Sequence, residues 1–595
     1  MCAILPLKEL PVAPYRFFGC LIFSLLAGEF LYSEAPAAGA IPTGSPTAMV
    51  ASAQHLASDV GAGVLARGGN AIDAAVAVGY ALAVTHPCCG NIGGGGFMTI
   101  HLADGRNTFV NFREKAPLAA RPDMFLDAKG NPIVEKSVNG FLAAGVPGTV
   151  LGFESVRERY GTMPRAVLMA PAIALAQQGF VLTPGDAAVL ADDAQAFRAQ
   201  PNVAEIFLNQ GAPFKGGERL VQKNLARTLS AISEGGADAF YHGAIADAVA
   251  RAARANGGIL TREDFEKYRV TELAPITCSY RGYSIVSAPP PSSGGVTLCE
   301  MLQVLEGYPL KSLGFHSAES LHVMTEAMRF AYRDRNTYLG DPAFVDNPVV
   351  RLLSERHTES IRAHILPHRA TPSAALGEEA AADEHATTTH YSVVDRFGNA
   401  VAATFTINND FGAKVIAGDT GFFLNDEMDD FTAKPGAPNL FGLVQGKANA
   451  IAPGKRPLSS MTPTIVLKDG KPLLVVGSPG GSRIITTVLE VIVNVIDYGM
   501  SVQQAVDAPR VHHQWLPDAL AGEPAAISVD TARVLTDMGY LVTALEPWGT
   551  GNAAEAIGIA PQDPALARAL GFPAPGRMVG ANDSRAPAGS VAAVP

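Results

Sequence analysis

The chain has 595 residues, 48 % of them hydrophobic and 17 % charged, a balance that excludes fibrous and disordered classes and allows a large buried core. Acidic residues outnumber basic ones, 56 to 45, for a formal charge of −11. No basic block is present that would follow a phosphate backbone, which excludes nucleic acid as a partner.

Residues 1–39 read as a secretory signal. Lys8 and Arg16 precede the apolar run F-F-G-C-L-I-F-S-L-L-A-G, and A-P-A-A-G-A supplies small residues for cleavage. Cys20 lies inside the apolar run and not after it, which disfavours a lipoprotein site. No later stretch offers ~18 uninterrupted apolar residues, so the expectation is an exported protein, periplasmic or secreted, with no membrane contact beyond the leader.

Met49 to Pro87 reads as a pair of Ala-rich helices, with Asn70 and Asp73 forming a cap and an acidic first turn. Cys88 and Cys89 read as small buried residues, Cys278 and Cys299 as isolated ones, and no cysteine spacing matches a zinc site. The four glycines Gly93 to Gly96 are not followed by Lys-Ser/Thr, so they read as tight backbone packing beneath a site and not as a phosphate loop. The strand N-T-F-V-N-F-R-E-K-A-P carries Arg113 at its end. Ala143 to about Val270 has the apolar spacing of helices covering a sheet. Leu321 to Gly340 reads as one amphipathic helix, and Leu366 to Thr387 as an exposed polar connector.

The stretch Glu384 to Asn408 then reads as two strands joined by a turn built from Asp395, Gly398 and Asn399. A hairpin symmetric about Phe397 pairs Val394 with Ala400 and, further out, Thr388 with Thr406, whose Cβ atoms would stand about 4.5–5.5 Å apart. Period-two alternation places Thr404, Thr406 and Asn408 on one face and Phe405 and Ile407 on the other. Beyond it, the strand L-L-V-V-G-S, a glycine-rich turn and the helix R-I-I-T-T-V-L-E-V-I-V-N-V-I form an arrangement that aims backbone N–H groups at an anion.

T-T-H-Y-S-V-V-D, T-x-N, N-D-E-M-D-D-F (Asn425 to Phe431), P-L-S-S-M (Pro457 to Met461) and G-S-P-G-G-S-R (Gly477 to Arg483) closely resemble motifs of the γ-glutamyltransferase (γ-glutamyltranspeptidase) family. The resemblance runs over nearly all of Ala40 to Ala593. It implies an α+β fold, the four-layer αββα sandwich of N-terminal nucleophile hydrolases, made as two chains from one precursor. Cleavage between Thr387 and Thr388 would give a large subunit, 40–387, and a small catalytic subunit, 388–595, paired as a heterodimer within one αββα domain. Thr387 is the competing start, since three threonines run together.

A threonine hydroxyl needs a base beside it, and cleavage would supply one: a free α-amine with a pKa of about 7.7–8.0. By the resemblance, Thr388 is the nucleophile, Thr406 donates a hydrogen bond to it, and Gly480 and Gly481 form the oxyanion hole. Arg113, Ser459 and Ser460 would hold the substrate's α-carboxylate. Asn408, Glu427 and Asp430 would hold its α-ammonium. The implied substrates are glutathione and γ-glutamyl compounds, with water or an amino acid or dipeptide as acceptor and no metal or organic cofactor. Phe441 occupies a place in the lid loop, Pro435 to Pro453, where relatives commonly carry a tyrosine. A β-lactam side-chain acylase of the same superfamily is the alternative; an unprocessed binding protein is a second.

Overall fold

The computed structural model describes residues 43–376, 388–545 and 552–595. The leader and residues 377–387, which are the second half of the polar connector and include Thr387, lie outside the described residues. Two seven-stranded sheets dominate, and every neighbouring pair of strands within them is antiparallel. The first sheet has the order Ser590–Val594, Ala48–Ser52, Thr389–Val394, Ala400–Thr406, Gly95–His101, Asn107–Asn111, Thr271–Leu273. The second runs Thr43–Ser45, Met578–Asn582, Glu555–Ile559, Lys471–Gly477, Thr464–Lys468, Tyr283–Ser287, Ile276–Tyr280.

Side-chain alternation builds the layers. Met49, Ala51, Val394, Ala400 and Ala402 of the first sheet meet Val286, Ile465, Val475 and Ile557 of the second in a core between the sheets. The intervening residues Val50, Val393, Val401 and Ala403 point outward into a cluster with the helices Ala71–Thr85, Thr149–Tyr160 and Arg165–Gln178. Ile285, Val466, Leu474 and Val476 pack outward against Gly294–Glu306, Ala318–Tyr338 and Ile484–Ile496. The result is helix, sheet, sheet, helix.

The central hairpin pairs Val394 with Ala400 and Thr389 with Phe405, the register expected from the sequence. Its turn is organised by Asp395, which accepts from the N–H groups of Phe397 and Asn399 at 2.8 and 2.9 Å. The same carboxylate accepts from Ala71 N–H at 2.8 Å, tying the turn to the start of the helix Ala71–Thr85. That helix carries the expected capping box of Asn70 and Asp73.

Three expectations are corrected. Ala48–Ser52 is a buried strand and not part of a helix; a short apolar run has no periodicity to separate the two. Cys88 and Cys89 are joined in a disulfide between chain neighbours, and Cys278 is bonded to Cys299. The second pair is set by the fold, which lays the helix Gly294–Glu306 over the edge strand Ile276–Tyr280.

Replacing Cys278 and Cys299 together by serine should cost ~2–4 kcal/mol in denaturant unfolding, from the entropy returned to the unfolded chain. An unchanged midpoint would show that this bond does not support the outer layer.

Candidate active site

The site lies where the hairpin meets the glycine run. Gly95 pairs with Thr406 and Gly96 with Phe405, and the backbones approach too closely for side chains. A Cβ at Gly94 would stand 1.9 Å from the Thr406 carbonyl oxygen, and one at Gly93 2.0 Å from that of Phe423. The glycines thus let the strand bearing Thr406 sit flush on its neighbour, as the sequence reading expected.

Thr388, 7 % exposed, places its Oγ1 3.1 Å from Thr406 Oγ1. Asn408 N–H donates to Thr406 Oγ1 at 2.8 Å, which ties this hydroxyl to the backbone beyond the strand. Asn408 takes φ +80°, a conformation asparagine tolerates better than most residues. The neighbouring His390 is no base for this hydroxyl. It is enclosed between Thr404 Oγ1 at 2.8 Å and Ser392 Oγ at 3.1 Å, and burial pushes its pKa down to about 3.

Thr388 and Thr406 form one wall of a pocket of 290 Å³ also lined by Arg113, Asn408, Glu427, Asp430, Phe441, Ser459, Ser460 and Gly481. Gly480, the chain neighbour of Gly481, does not line it. Gly480 and Gly481 take φ +128° and +54°, a turn that glycine makes without strain. Among the described residues, neither N–H has a protein acceptor.

The acidic loop Asn425 to Phe431 is buried, not solvated. Asn425 clamps it, donating to the carbonyls of Gly93 and Gly145 at 2.8 and 2.9 Å and accepting from Gly145 N–H at 2.8 Å. Arg113, itself fully buried, pairs through its two terminal nitrogens with Glu427 and Asp430 and lies 3.5 Å from Glu114. The residues read from sequence as the two halves of an amino-acid clamp are therefore in direct contact. Burial raises the pKa of Glu427, Asp430 and Asp426, and raises Glu114 to about 7. Burial opposes the charge on Arg113, but the carboxylates of Glu427 and Asp430 outweigh it and hold the guanidinium protonated.

The description Gamma-glutamyltranspeptidase belongs to the family model that matches residues 57–592. The chain belongs to the γ-glutamyltranspeptidase family. It is 55 % identical over 557 residues to the glutathione hydrolase proenzyme of Pseudomonas sp. (strain A14), covering 92 % of this chain and 94 % of that protein. It is 50 % identical over 515 residues to the glutathione hydrolase proenzyme of Escherichia coli (strain K12), covering 86 % and 88 %. Among solved structures it is similar to the cephalosporin acylase from Bacillus halodurans, with TM-score 0.81 and 27 % identity over 93 % of this chain and 97 % of that one.

Within this γ-glutamyltranspeptidase fold, sequence reading missed Arg335. From the helix Ala318–Tyr338 it donates to Ser460 Oγ at 2.8 Å and Ser293 Oγ at 2.9 Å. Ser293 in turn donates its N–H and hydroxyl to the Ser459 carbonyl at 2.8 and 2.7 Å. The turn A-P-P-P-S-S-G-G, Ala288 to Gly295, thus grips the P-L-S-S-M loop, and its paired serines were the available signal.

Gly94→Ala should displace Thr406 and abolish activity, because the clash is with backbone that cannot rotate away. Full activity in Gly94→Ala would refute the claim that backbone approach positions the hydroxyl pair.

Proposed function

We propose that the protein is a self-processing γ-glutamyltransferase that transfers the γ-glutamyl group of glutathione or γ-glutamyl amides through an ester on Thr388. The observation that carries this reading is the Thr388–Thr406 hydroxyl pair at 3.1 Å, set in one pocket with a buried arginine and two buried carboxylates. Thr388 Oγ1 attacks the carbonyl of Thr387, the peptide shifts from nitrogen to oxygen, and water completes the cut. The fragments are 40–387 and 388–595, held together as a heterodimer. The new α-amine of Thr388 then accepts the hydroxyl proton during attack on substrate.

Arg113, Ser459 and Ser460 take the α-carboxylate, with Arg335 orienting Ser460. Asn408, Glu427 and Asp430 take the α-ammonium. Gly480 and Gly481 stabilise the oxyanion, where loss of one donor typically costs ~2.7–4 kcal/mol of barrier. Water as acceptor gives hydrolysis; an amino acid or dipeptide gives transpeptidation. The leader and the two disulfides support export to an oxidising compartment, periplasmic or secreted.

The likeness to a cephalosporin acylase raises the acylase alternative, but a glutaryl group has no ammonium to meet Glu427 and Asp430. Turnover of γ-glutamyl-p-nitroanilide should exceed that of glutaryl-p-nitroanilide by at least about 100-fold, since the analogue leaves buried charges unmet. Equal turnover would overturn the assignment.

Arg113→Lys should raise KM more than it lowers kcat, because the contact is made in ground and transition states alike. An unchanged KM would remove Arg113 from substrate binding. Phe441, buried on the pocket wall, offers no hydroxyl to Asn408, whose Nδ2 donates to the Asp426 carbonyl at 3.1 Å. Phe441→Tyr would add a latch worth about 0.5–1.5 kcal/mol, making the closed lid roughly 2–12-fold more populated. The expected result is greater hydrogen-exchange protection of the loop and an altered ratio of transfer to glycylglycine over hydrolysis. No change in either would rule out gating by this position.

A further inference from the structure

Three helices on the outer side of the second sheet bring one side chain each to a common point outside the substrate pocket. Glu300 reaches it from Gly294–Glu306, Asp334 from Ala318–Tyr338 and His357 from Glu355–His364. His357 Nε2 stands 2.7 Å from Asp334 Oδ2 and 3.2 Å from Glu300 Oε1, and one ligand atom from each residue lies within 4.8 Å of the other two. We propose that these three side chains form a binding site for a divalent transition-metal ion, with Zn²⁺ the best fit, and that the ion braces the helices behind the pocket. The reaction proposed for Thr388 makes no use of it.

The spacing suits a single ion. Ligands held at ~2.0–2.2 Å from Zn²⁺ stand about 3.4 Å apart in a tetrahedron, so the three groups reach it with side-chain shifts of roughly 1 Å or less. Asp334 is already oriented for this, because its other oxygen, Oδ1, accepts from Arg333 Nε and Nη2 at 2.8 and 2.5 Å. Outer contacts of that kind fix a ligating carboxylate and leave its second oxygen for the metal. The Glu300 and Asp334 side chains are buried, whereas that of His357 is 13 % exposed. An ion therefore enters past the imidazole, with water to complete its shell.

The donors select the ion. One imidazole and two carboxylates suit Zn²⁺ and, more weakly, Mn²⁺. Three protein donors are too few for Ca²⁺, which takes roughly 6–8 oxygens, and the absence of sulfur disfavours Cu(I). Two carboxylates desolvated side by side are costly; a bound cation offsets that cost, taking the place of protons shared with His357. The other such cluster among the described residues, His86 with Cys88 and Cys89, has its sulfurs joined in a disulfide and offers no thiolate. Position gives the ion its structural task. Asp334 is followed by Arg335, which holds Ser460 and Ser293, and Ser293 directly precedes the helix that bears Glu300.

The probe is the metal alone, added to untagged protein that has been treated with a chelator and freed of it. Calorimetry should show one strong Zn²⁺ site per chain, with no competition from Mg²⁺ or Ca²⁺, and Zn²⁺ should raise Tm. Co²⁺ bound in its place should give a visible ligand-field absorption. Glu300→Gln and His357→Gln, which remove one ligand each at nearly constant volume, should each weaken Zn²⁺ binding at least about tenfold, since even loss of an outer-shell partner costs ~10–100-fold. Both should lose the Co²⁺ absorption and the rise in Tm. The wild-type measurements stand whether or not the variants fold: the lack of a stoichiometric Zn²⁺ site would overturn the proposal. So would Zn²⁺ affinity that stays at the wild-type value in either folded variant, because the ion would then be bound elsewhere.

Discussion

The pairing register of one hairpin is the constraint on which the site depends. Thr389 opposite Phe405 and Val394 opposite Ala400 leave Thr388 facing Thr406, and a slip of one residue would turn the Thr388 hydroxyl to the opposite face. Two devices hold that register. Asp395 locks the turn and joins it to the helix Ala71–Thr85, while Gly94 and Gly96 allow the neighbouring strand to approach where any side chain would collide with the Thr406 and Thr404 carbonyls. The Thr388–Thr406 hydroxyl pair therefore inherits its precision from backbone geometry, which is stiffer than a side chain held by packing alone.

Electrostatics supply the second organising force. Around Arg113 stand Glu114, Glu427 and Asp430, with Asp426 nearby, all desolvated and all with raised pKa values. Acidic groups outnumber the guanidinium there, and burial favours their neutral forms while Arg113 and, for Asp430, Arg335 favour the charged ones. Such a cluster costs stability when empty. The pairing of Glu427 and Asp430 with Arg113 accounts for an acidic loop that is buried and clamped by Asn425 instead of solvated.

Much of this was legible in the sequence because it rests on local rules. The hairpin register follows from turn residues and alternation, the cap at Asn70 from a three-residue spacing, and the glycine run from the absence of phosphate-loop partners. The motif loops gave the members of the pocket, but not their contacts: that Arg113 would touch both Glu427 and Asp430 depends on how three distant segments pack. The same limit hid Arg335, one polar residue on a helix whose role comes from reaching Ser460 some 125 positions away. It hid the Cys278–Cys299 bond, and His390, whose burial between the sheets removes the basicity its residue type suggests. Ala48–Ser52 was misread because five buried apolar-rich residues fit strand and helix equally well.

The central claim is that Thr388 cuts its own peptide bond and becomes the N-terminal nucleophile. Intact mass and N-terminal sequencing of the purified protein, alongside Thr388→Ala, test it most directly. The account predicts two fragments from the wild-type chain, the smaller beginning at Thr388, and a single uncut chain from the variant. A wild-type chain that never splits, a small fragment beginning at another residue, or cleavage at this bond in Thr388→Ala would contradict it.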